Sequence, residues 1–470
     1  MTATVIRNGR IVTAVDDYTA DILMEDGRVR MIGTDLPVGD GVAEHDAGGL
    51  LVMPGGVDVH THLDWDFGPA RTADTFYTGS QAAAFGGTTT IVDFANQTKG
   101  ESPLAGLANW HERASVAGVD VGAHMIMIDV NDQSLTDMKS LIHDEGVPTF
   151  KLFTAYPDVL MIDDGAIFKT MRMVGANGGM VQVHAENGHV IDVLVQEALD
   201  AGNTSPKWHM LTRPTIMEGE ATSRVIRIAE LAEAPVYIVH LSAGEALDAV
   251  TEARDRGLPV HAETCPHYLF LTDEEYDRPG FEGAKFVMTP PLRSEAHQHA
   301  LWRGLRTDDL QVIATDHCPF CFSENVLGLR LSKELGRDDF SKIPNGAPGL
   351  ETRMPLVYDG GVRRNGMSLN RYVELTATAP AKLFGLFPRK GTIAVGSDAD
   401  IVLFDPDERW TIRAAEHHSR VEYSMFEGRE VTGRVSKVFL RGELIVDGRK
   451  WLGREGGGRF IKRGQAGKQK

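Results

Sequence analysis

Residues 50–62 read LLVMPGGVDVHTH, and this stretch decides the fold. Two apolar runs are separated by Pro-Gly-Gly, and the second run ends in two histidines. In a strand, residues two apart point to the same face, so His60 and His62 can reach one cation. Imidazole nitrogens suit zinc and similar divalent metals. The stretch therefore predicts a buried strand with part of a metal site at its carboxyl end.

Four other apolar runs also end in a group that can bind a cation. They read VPTFK (147–151), MVQVH (180–184), VYIVH (236–240) and VIATD (312–316). In a parallel barrel the carboxyl ends of the strands meet at one mouth, where the chemistry is built. One histidine at a strand end is more often a buried structural group, but a repeated pattern indicates a shared site. The additional predicted metal ligands are Lys151, His184, His240 and Asp316.

Strand-like and helix-like stretches alternate between residues 54 and 387. The helix-like stretches include HVIDVLVQEALDAG and EATSRVIRIAELAE. Eight repeats of this alternation predict an α/β fold with a (β/α)8 TIM-like barrel. Segments 281–310 and 318–350 are rich in proline, glycine and polar residues, so we expect long loops at the barrel mouth. The β-rich runs are residues 52–62, 88–94, 119–128, 147–153, 180–184, 235–240, 258–263 and 311–316.

Both chain ends read as short alternating strands. Asn8-Gly9 and Asp26-Gly27 are dipeptides that type I′ hairpins favour. Because short strands need a partner to bury their inner face, we predict one small β-sandwich domain from residues 1–53 and 388–450. Residues 54–387 would then form the metal-dependent catalytic barrel. The glycine-rich, basic tail, residues 451–470, is expected to be flexible or to make oligomer contacts.

Composition narrows the classes of function. The 470 residues are 42% hydrophobic and 24% charged, as in ordinary globular enzymes. The net charge of −18 opposes phosphate backbones, so no nucleic-acid partner is expected. No apolar run approaches the roughly 20 residues that span a bilayer, and no secretory signal is recognised. With three cysteines and no disulfide framework, the expected location is the cytoplasm.

Lys151 is the unusual member of the predicted ligand set. Burial at a strand end disfavours a charged ammonium group. One interpretation is a lysine whose aliphatic stem carries the charge to solvent. The other is a neutral amine carboxylated by CO₂, whose carbamate bridges two metal ions between the two pairs of histidines. Paired cations roughly 3.5–4 Å apart activate water and polarise a carbonyl, and Asp316 can take the proton, so the pattern predicts amide hydrolysis.

Other candidate motifs give weaker signals. Cys318 and Cys321 have CxxC spacing, but a second pair is missing, so a zinc ribbon or redox role is not expected. There is no G-x-S-x-G elbow and no Walker A loop. Four further histidines are interpreted as structural groups or as groups behind the ligands: His124, His261, His267 and His317.

Several motifs together resemble the amidohydrolase superfamily, and within it the cyclic amidohydrolases dihydropyrimidinase and D-hydantoinase. They are PGGVDVHTHL, KLFTAY, VHAENG, IVHLS, VMTPPLR, ATDHCPF, IPNGAPGLETRMPL and PAKLFGLFPRKGTIAVGSDADIVLFDP. The HxH pair is widespread, whereas KLFTAY and IPNGAPGLE are specific to this branch. The resemblance implies a barrel with a β-sandwich, two divalent metals (usually zinc), a carboxylated lysine and commonly a homotetramer. It also assigns all six predicted residues as metal ligands.

The same resemblance implies roles for substrate-binding residues. Tyr156 in KLFTAY matches a phenol that polarises the substrate carbonyl, and Asp316 matches the proton shuttle. Thr289 in VMTPP stands where serine is usual, and Asn345 in IPNG matches a second ring-binding position. Four residues fall in loops that contact the exocyclic substituent in hydantoinases: Leu63, Trp65, Phe153 and Leu160. A larger aromatic residue is frequent at position 160, so the substituent preference is left open.

The implied reaction is hydrolysis of dihydropyrimidines or 5-substituted hydantoins, which are cyclic ureides or imides, to N-carbamoyl amino acids. Allantoinase and dihydroorotase remain alternatives, although dihydroorotase normally has an arginine at the position of Asp64. A phosphotriesterase-type enzyme shares the ligands but gives no reason for Tyr156 or the IPNG loop. The collapsin response mediator proteins are non-enzymatic scaffolds of this fold, and they have lost metal ligands that this chain retains.

Overall fold

The computed structural model describes residues 3–37, 39, 41–67, 70–323 and 332–467. Its strands form an eight-stranded sheet, a nine-stranded sheet and a two-stranded hairpin. In chain order they are β1 (Ala3–Val12), β2 (Asp17–Glu25), β3 (Arg28–Gly33), β4 (Ala43–Asp46), β5 (Leu51–Pro54), β6 (Gly56–Thr61), β7 (Asp66–Phe67), β8 (Ala70–Arg71), β9 (Thr88–Asn96), β10 (Asp120–Ile126), β11 (Thr149–Phe153), β12 (Met180–His184), β13 (Val236–Ile238), β14 (Val260–Thr264), β15 (Val312–Ile313), β16 (Ile401–Thr411), β17 (Glu430–Leu440), β18 (Glu443–Asp447) and β19 (Lys450–Trp451).

Helices follow most of the barrel strands. They are α1 (Phe76–Phe85), α2 (Pro103–Ala114), α3 (Asp132–His143), α4 (Asp164–Ala176), α5 (Gly188–Asp200), α6 (Lys207–Leu211), α7 (Thr215–Ala232), α8 (Gly244–Asp255), α9 (Pro266–Phe270), α10 (Glu295–Thr307), α11 (Arg353–Val357), α12 (Leu369–Val373) and α13 (Ala379–Leu383). Two π-helical segments, Tyr358–Arg364 and Glu374–Thr378, continue α11 and join α12 to α13. Short 3₁₀ turns lie at Asp273–Asp277, Glu282–Phe286, Lys333–Gly336, Phe340–Lys342 and Ala414–Glu416. Among the described residues, no helix has the length and apolarity needed to cross a membrane.

The predicted barrel is confirmed. Its eight strands pair in the order β15-β14-β13-β12-β11-β10-β9-β6, and the pairs are parallel. The first and last strands approach each other through a parallel bridge between Thr61 and His317. Each of the eight β-rich runs overlaps one of these strands. Consequently, all predicted ligands lie at or just beyond the same ends of the strands.

The stretch 50–62 is two strands rather than one. β5 pairs with β1 and β16 in the nine-stranded sheet, whereas β6 pairs with β9 in the barrel. Gly55 lies between them, where a Cβ atom would stand 2.0 Å from Thr89 Oγ1. A side chain therefore cannot fit at this crossover, and the glycine allows the chain to pass from one sheet to the other.

Strands from both chain ends build the nine-stranded mixed sheet, as predicted. Its order is β19-β18-β17-β16-β5-β1-β2-β3, with β4 paired to β1. Val29 N donates to Ser397 O (3.0 Å) and Ala399 N donates to Gly27 O (2.9 Å). These bonds tie the β2–β3 hairpin to the segment before β16, so the sheet bends back over an apolar core. The expected sandwich takes the form of this single bent sheet.

One of the two predicted hairpin dipeptides differs from the structure. Asp26 and Gly27 do turn between β2 and β3, with φ of 50° and 80°. Asn8-Gly9 instead lies inside β1, where the register with β2 shifts and Asn8 has φ 58°. A β-bulge requires the same positive φ as a hairpin turn, so the dipeptide alone could not distinguish them.

The expected loop 281–310 contains a helix. Helix α10 spans Glu295–Thr307 and buries Leu301, Trp302 and Leu305 on one face. The loop expectation is therefore wrong for these residues, because helical spacing of the apolar side chains outweighs the polar composition. In segment 318–350, the described residues form short 3₁₀ turns and irregular chain, while residues 324–331 lie outside the described part.

The C-terminal tail packs on the barrel as far as residue 467. Ile461 N donates to Val121 O (2.8 Å), and Gly467 N donates to Leu383 O (2.9 Å). Ile461 and Arg463 are buried. The structure thus differs from the expected flexible tail, because these residues find backbone and apolar partners on the barrel. Oligomer contact through the tail stays a prediction.

Candidate active site

Four of the predicted ligands meet at the barrel mouth around Asp316. His60 Nε2 lies 3.2 Å and His62 Nε2 lies 3.4 Å from Asp316 Oδ1. Lys151 Nζ is 2.9 Å from His60 Nε2. β6 carries the first histidine, β11 carries the lysine, and the aspartate follows β15. Residues from three strands thus direct polar atoms at one point.

The other two histidines join the same group from neighbouring strands. His184 ends β12 and His240 follows β13, and their Nδ1 and Nε2 atoms lie 2.9 Å apart. The rings of His240 and His60 have centroids 5.3 Å apart. Ligand atoms of His60, His240 and Asp316 all lie within 4.8 Å of one another. The structure therefore brings all six predicted residues together.

Burial keeps three imidazoles of this group neutral, those of His60, His62 and His240. Desolvation, aided by the Lys151 charge, lowers the pKa of His60 and of His62 to about 3. Desolvation also lowers the pKa of His240 well below its ordinary value. It lowers the pKa of Lys151 to about 8. Neutral imidazoles present lone pairs, which is the state a cation requires.

Two carboxyl groups behind the histidines fix their rings. Glu263 pairs with His60 Nδ1, accepts a bond from Tyr237 Oη (2.8 Å) and accepts a bond from the His240 backbone N–H (3.1 Å). Glu186 Oε2 lies 3.0 Å from His184 Nε2. In each of these two histidines, the ring nitrogen that does not contact the glutamate points towards another predicted ligand: His60 Nε2 towards Lys151 and His184 Nδ1 towards His240. Carboxylate partners of this kind orient histidines that bind metals.

Neither glutamate was assigned a role from sequence. Glu263 ends the apolar run 258–263, so the signal that identified the six ligands was also present there. Glu186 lies two residues after His184 in the VHAENG motif. Both are fully buried acidic residues. An acidic group next to a strand-end histidine is thus the pattern that could have revealed them.

The donor set fits a pair of divalent cations. Four imidazoles, one carboxylate and one amine of lowered pKa converge at this point. Nitrogen and carboxylate oxygen ligands suit zinc. His184 Nε2 faces a carboxylate, so its Nδ1 presents a lone pair towards His240 Nε2. Two imidazole nitrogens at this separation are well placed to share a cation.

A small cavity opens directly over this group. Its volume is about 50 Å³. Asn345 Nδ2 lies 3.5 Å from the Tyr156 hydroxyl, and burial raises the pKa of Tyr156 to about 12. The phenol therefore keeps its proton and can donate a hydrogen bond into the cavity. The lining comprises His62, Trp65, Lys151, Phe153, Tyr156, Leu160, His184, His240, Thr289, Asp316, Cys318, Asn345 and Gly346.

Leu63 does not belong to this lining in the described part of the chain. It is buried, and its Cδ2 atom would lie 2.4 Å from a Cβ atom at Gly79 of α1. Its backbone N–H donates to Asp93 (2.9 Å). Leu63 lies beyond the end of β6 and packs against α1, and its expected contact with the exocyclic substituent stays a prediction.

Lys333 is a further residue near the cavity that was missed from sequence. Its fully buried Nζ donates to Val287 O (2.8 Å) and Pro344 O (2.9 Å). These carbonyls precede Thr289 and Asn345, so one ammonium group joins both expected ring-binding loops. Burial lowers the pKa of Lys333 to about 7. The polar composition of the segment gave no signal for such a contact.

A wider cleft adjoins the cavity. Trp65 and Leu160 line both, and the cleft has a volume of about 570 Å³. Its outer walls carry polar and charged residues such as Asn96, Lys99 and Arg113. A group that leaves the small cavity past Trp65 and Leu160 therefore enters a roomy, polar space.

A second acidic cluster is structural. Asp120, Asp398 and Asp400 have carboxylate atoms within 4.8 Å of one another. Lys390 Nζ lies 2.5 Å from Asp120, 2.5 Å from Asp400 and 2.9 Å from Asp398. The ammonium group already occupies the centre of these carboxylates, so it acts as their counter-charge and leaves no space for a metal ion.

Comparison with known proteins gives consistent matches along the whole chain. The sequence model of the Amidohydrolase family matches residues 51–445. A D-hydantoinase of Streptomyces coelicolor is 51% identical over 98% of each chain, and one of Geobacillus stearothermophilus is 46% identical over 98% of this chain and 97% of its own. A crystal structure of dihydropyrimidinase from Brevibacillus agri NCHU1002 is 48% identical, covers 99% of each chain and superposes with a TM-score of 0.96.

Proposed function

Because the chain belongs to the amidohydrolase family, we propose that it hydrolyses cyclic ureides and imides. The substrates are dihydropyrimidines or 5-substituted hydantoins, and the products are N-carbamoyl amino acids. Relatives named D-hydantoinase cover almost the full chain and support this substrate class. The observation that carries the proposal is the convergence of six potential ligands beneath a cavity that also contains the Tyr156 hydroxyl.

We propose that the six residues hold two divalent cations, with zinc as the expected metal. When bound, such a pair polarises a carbonyl group and lowers the pKa of water. Lys151 contributes as a carbamate: its amine nitrogen bonds to the carbon of CO₂, and the nitrogen releases one proton to water. The lowered pKa of Lys151 supports this step, since only the neutral amine reacts.

The remaining steps belong to the protein's own side chains. Tyr156 donates its hydrogen bond to the ring carbonyl oxygen as negative charge develops there. Asp316 takes a proton from the attacking water and passes it to the ring nitrogen when the carbon–nitrogen bond breaks. Thr289 and Asn345 bind the ring, mainly through backbone groups. Most of the side chains that line the cavity are buried, which strengthens these interactions.

We propose that Phe153, Leu160 and Trp65 contact the exocyclic substituent. All three line the small cavity, and two of them also line the adjoining cleft. Phe153 stacks on His184 with ring centroids 5.3 Å apart. A substituent on the ring therefore passes these three apolar side chains before it reaches the polar cleft.

Two alternative activities would need different substrate-binding residues at the barrel mouth. A dihydroorotase substrate carries a carboxylate, but position 64 is an aspartate, paired with Arg71 at 2.5 Å. Position 64 therefore lacks the arginine that would pair with the substrate carboxylate. Allantoinase remains the second candidate because allantoin is also a cyclic ureide. The non-enzymatic scaffold is disfavoured, since all six ligand residues are present and converge.

The test is a steady-state panel on zinc-reconstituted protein. It comprises dihydrouracil, both enantiomers of a 5-substituted hydantoin, allantoin and dihydroorotate. We expect ring opening of dihydrouracil or the hydantoins and loss of that activity after chelation. Hydrolysis of allantoin or dihydroorotate alone would replace the proposal with that activity, and activity that survives chelation would exclude the metal role.

We also propose a homotetramer located in the cytoplasm. The tetramer rests on the family resemblance, and the location rests on three cysteines that remain free and buried. Light scattering coupled to size-exclusion chromatography measures the number of chains. A monomer or dimer at micromolar concentration would contradict the assembly.

A further inference from the structure

His317 is a buried imidazole between two parts of the site. It directly follows Asp316 and is 1% exposed. Its Nδ1 accepts the backbone N–H groups of Gly349 (3.1 Å) and Leu350 (3.3 Å). Its Nε2 lies 3.0 Å from Asp74 Oδ2. Because Nδ1 accepts two bonds, the ring proton is on Nε2, which donates to the carboxylate.

The backbone of His317 makes further connections at this point. His62 N donates to His317 O (2.8 Å), and parallel bridges join His317 to Thr61 and to Ala347. His317 thus lies where the first and last barrel strands meet the loop that contains Asn345. Its position determines how the Asp316 end, the HxH end and this loop align.

Asp74 is held in turn by groups from two other segments. Thr78 Oγ1 donates to Asp74 (2.9 Å) at the start of α1. Ser419 Oγ (2.6 Å) and the Arg420 N–H (2.9 Å) donate from the segment before β17. Asp74 is fully buried, yet its hydrogen bonds are all satisfied by these donors and His317. These bonds hold the Asp74 carboxylate in place, and the carboxylate in turn fixes the orientation of the His317 ring.

We propose that His317 is a positioning residue for ring opening, a role that rests on the proposed function. Its Nδ1 side fixes the loop 344–350, which binds the substrate ring through Asn345. Its Nε2 side fixes the end of the strand that carries Asp316. The two ring nitrogens therefore control different kinetic constants, because substrate binding depends on the loop and proton transfer depends on Asp316.

Two isosteric substitutions separate the two sides. His317→Gln keeps an N–H near the Nε2 position for Asp74 but removes the acceptor for Gly349 and Leu350. His317→Asn keeps an acceptor near the Nδ1 position but removes the donor to Asp74. We expect His317→Gln to raise KM about tenfold with kcat nearly unchanged, and His317→Asn to lower kcat about 10–100-fold with KM nearly unchanged.

Hydrogen exchange gives a readout independent of the loaded enzyme. In the metal-free protein, amides of the peptide spanning 344–351 should exchange about tenfold faster in His317→Gln than in the native chain. His317→Asn should leave that exchange unchanged. His299→Gln, at an exposed position of α10, is the matched control and should alter neither exchange nor kinetics.

The outcomes distinguish this role from the proposed function. If both variants change KM and kcat to the same degree, or if His317→Gln leaves the exchange unchanged, the positioning role is overturned. The native chain could fail to open any ring while exchange in residues 344–351 still rises in His317→Gln and not in His317→Asn. In that case the proposed function fails, but the contact between His317 and the loop is supported. Should His317→Asn not fold, Asp74→Ala replaces it, with the same expected fall in kcat, because it removes the acceptor for His317 Nε2.

Discussion

Three residues at the active site adopt left-handed backbone conformations. The φ angles are 38° for His240, 48° for Asp316 and 61° for Tyr156. Such conformations cost about 1–3 kcal/mol for residues other than glycine and persist only when surrounding contacts enforce them. The bond from His240 N to Glu263 is one such contact. At the residue scale, these backbone conformations lower the free energy of unfolding of the barrel, and they direct the three side chains into one cavity.

Replacing Tyr156 tests the hydrogen bond to the substrate carbonyl. Tyr156→Phe should lower kcat by about 10²–10³-fold, because the phenol stabilises charge that develops only in the transition state. Steady-state kinetics on the metal-reconstituted protein measures this loss. Tyr18→Phe on the chain-end sheet is the control. A near-normal rate would assign Tyr156 to packing instead.

Replacing Lys151 tests the carbamate. Lys151→Ala should lose both bound metal and ring opening, because the proposed bridging group is gone. An added short-chain carboxylate such as acetate should restore part of the activity. Metal analysis and kinetics measure both effects, with the exposed Lys169→Ala on α4 as control. Full metal content in Lys151→Ala would count against the bridge.

At the scale of elements, the C-terminal tail acts as part of the barrel. Arg463 is 5% exposed and donates to Phe384 O (3.3 Å) and Thr149 Oγ1 (2.7 Å), as well as to Ala123 O. Burial lowers its pKa to about 9. The guanidinium group thus joins β10, β11 and the end of α13.

Replacing Arg463 tests this contribution. Arg463→Met should lower the free energy of unfolding by about 1–3 kcal/mol, because buried acceptors lose their donor. Urea unfolding followed by circular dichroism measures the change. Lys462→Met, the exposed neighbour, should change stability much less. Equal stability of the two variants would show that the tail adds nothing through Arg463.

At the scale of the whole molecule, a buried ion cluster joins the barrel to the chain-end sheet. Asp120 begins β10, whereas Asp400 directly precedes β16, and both contact Lys390. Arg441, between β17 and β18, also pairs with Asp120. Burial lowers the pKa of Lys390, but the three carboxylates outweigh it and raise the pKa above its ordinary value. The cluster therefore links the two sheets by charge.

Replacing Lys390 tests that link. Lys390→Met should reduce the free energy of unfolding by about 3–5 kcal/mol, because it removes the ammonium group that three buried carboxylates share. Arg389→Met is the matched control: its partly exposed pair with Asp398 should contribute about 0–1 kcal/mol. Urea unfolding measures the free energy of unfolding of both variants. A similar decrease in both would contradict the role of Lys390 as the link between the two sheets.

The sequence by itself determined the barrel, the participation of both chain ends and the six residues that converge. These features follow from local patterns, since apolar runs define strands and a polar residue at each run's end faces the mouth of a parallel barrel. The domain boundaries and metal-ligand roles remain predictions. Only the tertiary structure revealed the contacts of Glu263, Lys333 and His317, the packing of Leu63 against α1 and the packed tail. Each depends on partners far apart in the chain, and no local pattern specifies which distant carbonyl or carboxylate a buried side chain will meet.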